Sequence, residues 1–286
     1  MTEIAVATAE PRTVGSRVEE PAARFRDLLA SEWLKLWSLR STGCSLLLSA
    51  LAVIAFNVGT AWDHYRYWWQ YGPQGRADFV ANEMALGDAF TGNASTVLIL
   101  CAAAMGAVAV VGEYGSGLIR TSFAAVPARS ALMSAKVLVV AVVQTGFGAV
   151  VAGVSFWLSQ AVLSVRDAGL PITHPGALRL VVASALLAPV CAVTGMALGA
   201  LLRRSAVSVV GSVLLLLFVP MVLSERRHAT AVLAHTTPLK AWQRLAAPGA
   251  FEQPYPWTAG GAWLVFALWA VGAAVVTVLA VRRRDQ

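Results

Sequence analysis

Charge is scarce in this chain, and this scarcity narrows the class of protein. Only 13% of the 286 residues are Asp, Glu, Lys or Arg, whereas 58% are hydrophobic. Soluble globular domains carry about 25% charged residues, so the composition favours a membrane protein. The formal net charge is +7, but the basic residues are single or paired and lie at the ends of apolar runs. Because no basic stripe with interleaved aromatic residues is present, we expect no nucleic-acid partner.

Cysteine and histidine are also sparse. The three cysteines, Cys44, Cys101 and Cys191, lie far apart within apolar runs, so their spacing indicates neither a metal site nor a disulfide framework. The four histidines lie outside those runs and show no shared ligand spacing. We therefore expect no metal centre, and we interpret the cysteines as small apolar helix residues.

Motifs for nucleotide binding and for hydrolysis are missing as well. The sequence contains no G-x-x-x-x-G-K-[ST] phosphate loop, no H-E-x-x-H and no G-x-S-x-G. No acidic pair lies within a long apolar run, which argues against a proton-coupled pump. These absences predict a chain that is not an enzyme and that has no cofactor of its own.

Long uncharged runs are the most abundant feature of the sequence. Six of them reach about 20 residues, which as helices would cross a hydrocarbon core of roughly 30 Å. A charge at the centre of such a helix costs about 2.5–3.5 kcal/mol, so runs free of charge favour membrane helices over a soluble core. The sequence therefore predicts an all-α integral membrane protein with spans at about 41–62, 89–112, 137–165, 180–202, 205–224 and 259–281.

An even number of spans places both termini on one side of the membrane. If that side is the cytoplasm, 14 of the 22 basic residues lie on inner segments and eight on outer segments. Half of the outer ones belong to the long loop after the fifth span, where the positive-inside rule is weak. We therefore predict a multi-pass protein of the cytoplasmic membrane with both termini inside. Residues 1–21 are predicted to be a disordered cytoplasmic tail, and residues 22–286 the six-span domain.

An amphipathic helix is predicted immediately before the first span. The segment AARFRDLLASEWLKLWSLRST places five apolar residues on one helical face and flanks them with Trp33 and Trp37. This pattern is typical of a helix that lies in the interface of the inner leaflet. Glu32 falls within the apolar face, so it is expected either to pair with a cation from another inner segment, such as Arg120 or Arg129, or to reach into the headgroups.

A compact charged segment separates the second and third spans. Gly115 and Gly117 allow the chain to turn after Glu113, and Pro127 suits the first turn of a new helix that runs into the third span. Lys136 then lies where a snorkelling lysine would meet the headgroups. Together these features predict a short cytoplasmic helix, held at a fixed orientation between two membrane helices and able to transmit force.

This segment resembles the cytoplasmic loop of ABC transporter permeases of the type-2 exporter superfamily. The shared pattern is E-x-x-x-G, then Arg, then P-x-R and a later Lys, and it is carried here by Glu113, Gly117, Arg120, Pro127, Arg129 and Lys136. The preceding SEWLKLWSLRST resembles the family's amphipathic connecting helix, with Glu32 and Lys35 at the matching places. One departure is Leu118, where the family often has Thr after the glycine.

The resemblance also implies a function. In that family the loop is the coupling helix, which docks onto a separate ATP-binding subunit and passes its motion to the spans. It implies that this chain is the permease subunit of an ATP-driven exporter, that it forms a homodimer, and that its partner ABC subunit binds the ATP. Two alternatives stay open: a non-transporting sensor or anchor subunit of an ABC-like complex, and a secondary transporter. For the latter, the sequence shows neither intramembrane charges nor inverted repeats.

Polar residues at lipid depth are candidates for a translocation path. Asn57 in the first span and Gln144 in the third are expected to face protein through interhelical hydrogen bonds, or else to face a water-filled path. The resemblance places the path near the second and fifth spans, which offer the hydroxyls of Ser95, Thr96, Ser208 and Ser212.

Two further patterns predict packing. Gly195 and Gly199 form a G-x-x-x-G motif in the fourth span, which favours close approach of another helix in the bundle or of a second subunit. Near the last span, Thr237 is placed as an N-cap and Pro238 as the first residue of a short outer helix. That helix is expected to lie in the interface, to pack on the spans, or to serve as a plain connector.

Overall fold

The computed structural model describes residues 24–117, 128–223, 227–247 and 255–284. Within these ranges the chain is helical and contains no strand, which confirms the all-α class. The predicted tail at 1–21 lies outside the described residues. So does the stretch 118–127, which contains Arg120 and Pro127 and most of the predicted coupling helix.

The described residues form twelve α-helices. Before residue 118 they are α1 (Phe25–Ser38), α2 (Arg40–Arg66), α3 (Pro73–Ala81), α4 (Met84–Ala89) and α5 (Gly92–Ser116). After residue 127 they are α6 (Arg129–Ser164), α7 (Ala177–Leu202), α8 (Ser205–Val213), α9 (Val219–Val222), α10 (His228–His235), α11 (Pro238–Ala246) and α12 (Ala259–Arg284). A 3-10 turn at Trp68–Gln70 follows α2, and a π-helical turn at Leu214–Phe218 joins α8 to α9.

Six helical stretches of the described chain are long and apolar enough to cross a membrane, as predicted. They are Arg40–Arg66, Met84–Gly115, Arg129–Ser164, Ala177–Leu202, Ser205–Val222 and Ala259–Val281. The third begins at Arg129 rather than near residue 137, because the helix continues without a break through the charged residues that end the uncharged run. This agrees with the prediction of a helix that starts after Pro127 and runs into the third span.

The fourth span, α7, forms the centre of the bundle. Of its most apolar window 78% is buried, against 22% for the first, fifth and sixth spans. Glycines make this packing close: a Cβ atom added at Gly195 would lie 2.0 Å from the carbonyl oxygen of Ala103 in α5, and one added at Gly148 of α6 would lie 2.1 Å from that of Ala185. Helices meet backbone to backbone at these positions, so the G-x-x-x-G motif acts within the bundle.

The short helix α11 begins at Pro238, as predicted, and packs on the spans. Trp242 is buried, and its Nε1 donates to Ser184 Oγ in α7 at 3.0 Å. The predicted cap is not formed: the Thr237 hydroxyl donates to the carbonyl oxygen of Ala234 at 2.7 Å instead of accepting from the first turn of α11. The preceding helix α10 ends next to Thr237 and supplies that nearer carbonyl acceptor.

Candidate functional site

Four charged side chains meet where α5 ends and α6 begins. Helix α1 supplies Glu32 and Lys35, which are one turn apart. Glu113 comes from the last turn of α5, and Lys136 from the second turn of α6. We call these four residues the four-charge cluster. From the sequence alone, Glu32 and Lys35 were predicted for the interfacial helix, and Glu113 and Lys136 for the coupling segment.

Each carboxylate of the cluster contacts both ammonium groups. Lys136 Nζ donates to Glu32 Oε2 and, at 2.8 Å, to Glu113 Oε1. Lys35 Nζ donates to Glu32 Oε1 at 2.7 Å and lies 3.5 Å from Glu113 Oε1. Two positive and two negative groups make the cluster neutral overall.

Burial makes this pairing necessary. The exposed fraction is only 2% for the Glu32 side chain and 7% for that of Lys136, whereas Lys35 reaches the surface. A charge removed from water is costly unless it is paired and hydrogen-bonded. Burial lowers the pKa of Lys35, but the hydrogen bond to Glu32 and the charge of Glu113 outweigh this effect and raise the pKa above its ordinary value. Lys35 is therefore charged at neutral pH.

Glu32 pairs with a cation from another segment of the chain, which is one of the two outcomes expected for it. That partner is Lys136, not Arg129, and Arg120 lies outside the described residues. Arg129 is the first residue of α6, so Lys136 lies about 10 Å further along the helix at 1.5 Å per residue. The Lys136 side chain contacts two carboxylates of the protein, so it does not extend outward to the headgroups as predicted.

The chain is helical over Phe25–Ser38 (α1), and the apolar residues of this helix are divided between two surroundings. Leu28 packs on α6 against Leu132 and Ala135. Trp33 and Trp37 are exposed, with ring centroids 5.9 Å apart. The helix thus attaches to the bundle through Leu28 and Glu32 and leaves its tryptophans on the outside.

Gly117 ends α5 in a left-handed conformation, with φ of 74°. This conformation is easy for glycine and strained for other residues, which confirms the predicted turn at this glycine. Gly115, by contrast, remains helical. One residue after Glu113, the ring of Tyr114 lies 4.7 Å from the guanidinium carbon of Arg203. The end of α5 therefore also contacts the turn between α7 and α8.

The side chains of the five residues predicted for a translocation path all make hydrogen bonds within the protein. Asn57 Oδ1 accepts from the backbone N–H of Thr91 at 2.8 Å, which is the interhelical bond offered as one alternative. The hydroxyls of the other four donate to carbonyl oxygens of their own helices: Ser95 and Thr96 to Gly92, Ser208 to Arg204, and Ser212 to Ser208. Among the described residues, none of these five side chains hydrogen-bonds to another of the five side chains.

A cavity of about 620 Å³ lies elsewhere, between α1, the start of α2, α5 and α6. The four-charge cluster lines one part of it, and Gln144 lines another. The described residues that line this cavity include none of the five path candidates. The cavity was not predicted from the sequence, although Gln144 at lipid depth was a signal for it.

No protein-family model matches this chain, and a search of curated proteins returns no match. The resemblance to permeases of the type-2 exporter superfamily therefore depends on the residue pattern from Glu113 to Lys136 and on the segment before the first span.

Proposed function

We propose that this chain is the permease subunit of an ATP-driven exporter of the cytoplasmic membrane. In this proposal a separate ABC subunit binds and hydrolyses ATP, and the six spans move the substrate. Both termini lie in the cytoplasm, on the same side as the four-charge cluster. Six membrane-length helices support the membrane part of the proposal, and the loop pattern from Glu113 to Lys136 supports the coupling part.

The four-charge cluster is the observation that carries this proposal. Glu113 and Lys136 lie on either side of the predicted coupling helix, and they bond to each other at 2.8 Å. Glu32 bonds to the same lysine and so attaches α1 to both spans. A displacement of the segment between them would therefore move the ends of α5 and α6 and all of α1 together.

The contact of Tyr114 with Arg203 extends this network to the fourth and fifth spans. Motion at the loop could then reach the central helix α7, which packs against α5 through Gly195. ATP binding by the partner would bias the bundle between two arrangements, because a ligand shifts an equilibrium when it binds one state better. The same network would serve a sensor subunit, so transport has to be measured directly.

The exposed surfaces of three spans are suited to contact with lipid and with a second copy of the chain. Large apolar residues of the first, fifth and sixth spans remain exposed, for example Leu48, Val210 and Leu268. In a membrane such surfaces contact lipid or another helix at no hydrophobic cost. We propose that one of them forms the homodimer contact.

Co-purification with an ABC ATPase subunit tests the proposal. We expect the wild-type chain to recover the ATPase from native membranes and to support ATP-dependent transport in proteoliposomes. Arg120→Glu should abolish the recovery, since it reverses a charge on the predicted docking surface. Arg76→Glu is the matched control, because Arg76 is exposed on α3, at the opposite end of the first span.

Three outcomes would contradict the proposal. If the wild-type chain recovered no ATPase, the proposed coupling role would be wrong. If the two variants recovered equal amounts of ATPase, the proposed docking surface would be wrong. Recovery of the ATPase without transport of any substrate would favour the sensor alternative.

A further inference from the structure

The 620 Å³ cavity has the size and the lining of a ligand site. Ligand pockets of about 300–1,000 Å³ are mostly apolar, with a few polar groups that fix the orientation of the ligand. Here the apolar lining includes Met105, Val139, Val140 and Val143, and hydroxyls come from Ser41, Thr42 and Ser45. The site depends neither on the proposed function nor on an ATPase.

Gln144 is the polar group that lacks a partner in this cavity. It is 3% exposed, and its Oε1 has no hydrogen-bond partner among the described residues. Its Nε2 contacts only the weak acceptor Met105 Sδ, at 3.8 Å. If the amide group were turned over, Nε2 would take the place of Oε1 and would be the atom without a partner. A buried polar atom without a partner is costly, and among the described residues no hydrogen-bonding group of the lining reaches Gln144 Oε1.

The charges of the cavity favour a neutral ligand. The four-charge cluster is neutral overall, since each carboxylate pairs with both lysines. Gln144 lies about 12 Å beyond Lys136 along α6, at 1.5 Å per residue. The groups around it are apolar, and a charged ligand group would have no counter-charge at that depth.

The edge of the cavity is formed by exposed apolar residues. Leu39 at the start of α2 and Val108 in α5 both line it, and they are 60% and 52% exposed. Both residues lie on the outer surface of the bundle, and Val108 belongs to a membrane-length helix. A molecule dissolved in the bilayer could therefore reach the cavity without passing through water.

We propose that this cavity binds a neutral amphiphile from the bilayer, with its hydroxyl group hydrogen-bonded to Gln144 and its alkyl chain against the valines of α6. A hydroxyl both donates and accepts, so it satisfies the amide in either orientation.

Photolabelling of the full chain in phosphatidylcholine nanodiscs tests this site. The probes are a long-chain alcohol that carries a diazirine and the matching diazirine alkane without the hydroxyl. We expect saturable labelling of α5 and α6 peptides by the alcohol, with an affinity about 10-fold higher than that of the alkane, as the loss of one buried neutral hydrogen bond implies. An excess of unlabelled alcohol should remove the labelling.

Two variants locate the site. Gln144→Leu should lower the affinity for the alcohol about 10-fold, to that of the alkane. Thr145→Val is the matched control, because Thr145 is the next residue of α6 and is exposed; it should change neither probe. Val143→Trp should fill the cavity and reduce labelling by both probes.

Equal affinity of the wild-type chain for the two probes would overturn the proposal, and this comparison needs no variant to fold. Labelling by the alcohol that does not saturate would overturn it too. So would a Gln144→Leu protein that melts like the wild type and keeps the wild-type affinity for the alcohol.

Discussion

Removal of the Lys136 ammonium group is the sharpest perturbation of the four-charge cluster. Lys136→Met keeps the length of the side chain but leaves Glu32, which is almost fully buried, with Lys35 alone, and it takes from Glu113 its 2.8 Å hydrogen bond. Breaking a buried ion pair from one side costs about 3–5 kcal/mol, because it leaves an uncompensated buried charge. We expect Lys136→Met to lower the free energy of unfolding by that amount.

A double variant separates charge from packing. In Glu32→Gln/Lys136→Met one carboxylate and one ammonium group are removed together, so Glu113 keeps Lys35 as its counter-charge at 3.5 Å. The double variant should therefore be more stable than the sum of the two single changes predicts, by about 1–3 kcal/mol.

The assay is unfolding by sodium dodecyl sulfate in mixed micelles, followed by circular dichroism. Arg76→Met is the control for removal of a basic residue, since Arg76 is exposed, and it should change the free energy of unfolding by less than about 0.5 kcal/mol. If Lys136→Met were no more destabilising than this control, or if the changes in the double variant were additive, the cluster would not hold the three helices together.

Three other predictions concern packing, orientation and pH. Gly195→Leu should prevent accumulation of folded protein, because its Cβ would lie 2.0 Å from a carbonyl oxygen of α5, whereas Gly43→Leu, with nothing within 4 Å, should accumulate normally; fluorescence-detected size exclusion measures both. Two single-cysteine variants, made in a background without the native cysteines, test the orientation with a membrane-impermeant maleimide. Ser130→Cys should react only after the cells are permeabilised, whereas Ala229→Cys should react in intact cells. The reverse pattern would contradict the placement of both termini in the cytoplasm. Because its cluster partners raise the pKa of Lys35, its contribution to stability is present below its ordinary value of 10.5 and lost as the pH rises through the raised value. The melting temperatures of Lys35→Met and the wild type should therefore differ at neutral pH and converge in strong alkali, and a constant difference would contradict the pairing.

Much of the fold was predictable because membrane insertion is decided locally. The cost of a charge in lipid depends on the residue and its depth, so uncharged runs predicted the six membrane-length helices. The helical start at Pro238 and the left-handed turn at Gly117 were also predictable, since proline and glycine act through their own backbone geometry. The cap at Thr237 was not, because a nearer carbonyl acceptor of α10 took its hydroxyl.

The candidate site was only partly predictable. Glu32, Lys35, Glu113 and Lys136 could each be singled out from the sequence, since a charge next to an apolar run requires an explanation. Their meeting could not, because Glu32 and Lys136 lie 104 positions apart. The direction of the Lys136 side chain depends on how α1 docks on α6, and no local pattern specifies that docking.

The sequence by itself determined the class of molecule, the number and approximate positions of its membrane-length helices and the residues that carry its unusual charges, because these depend on the free energies of single residues in lipid and water. Only the tertiary structure decided which charges pair, which glycines meet a neighbouring backbone and where a cavity remains. Those outcomes depend on the crossing of helices distant in the chain, and hence on the packing of the whole bundle.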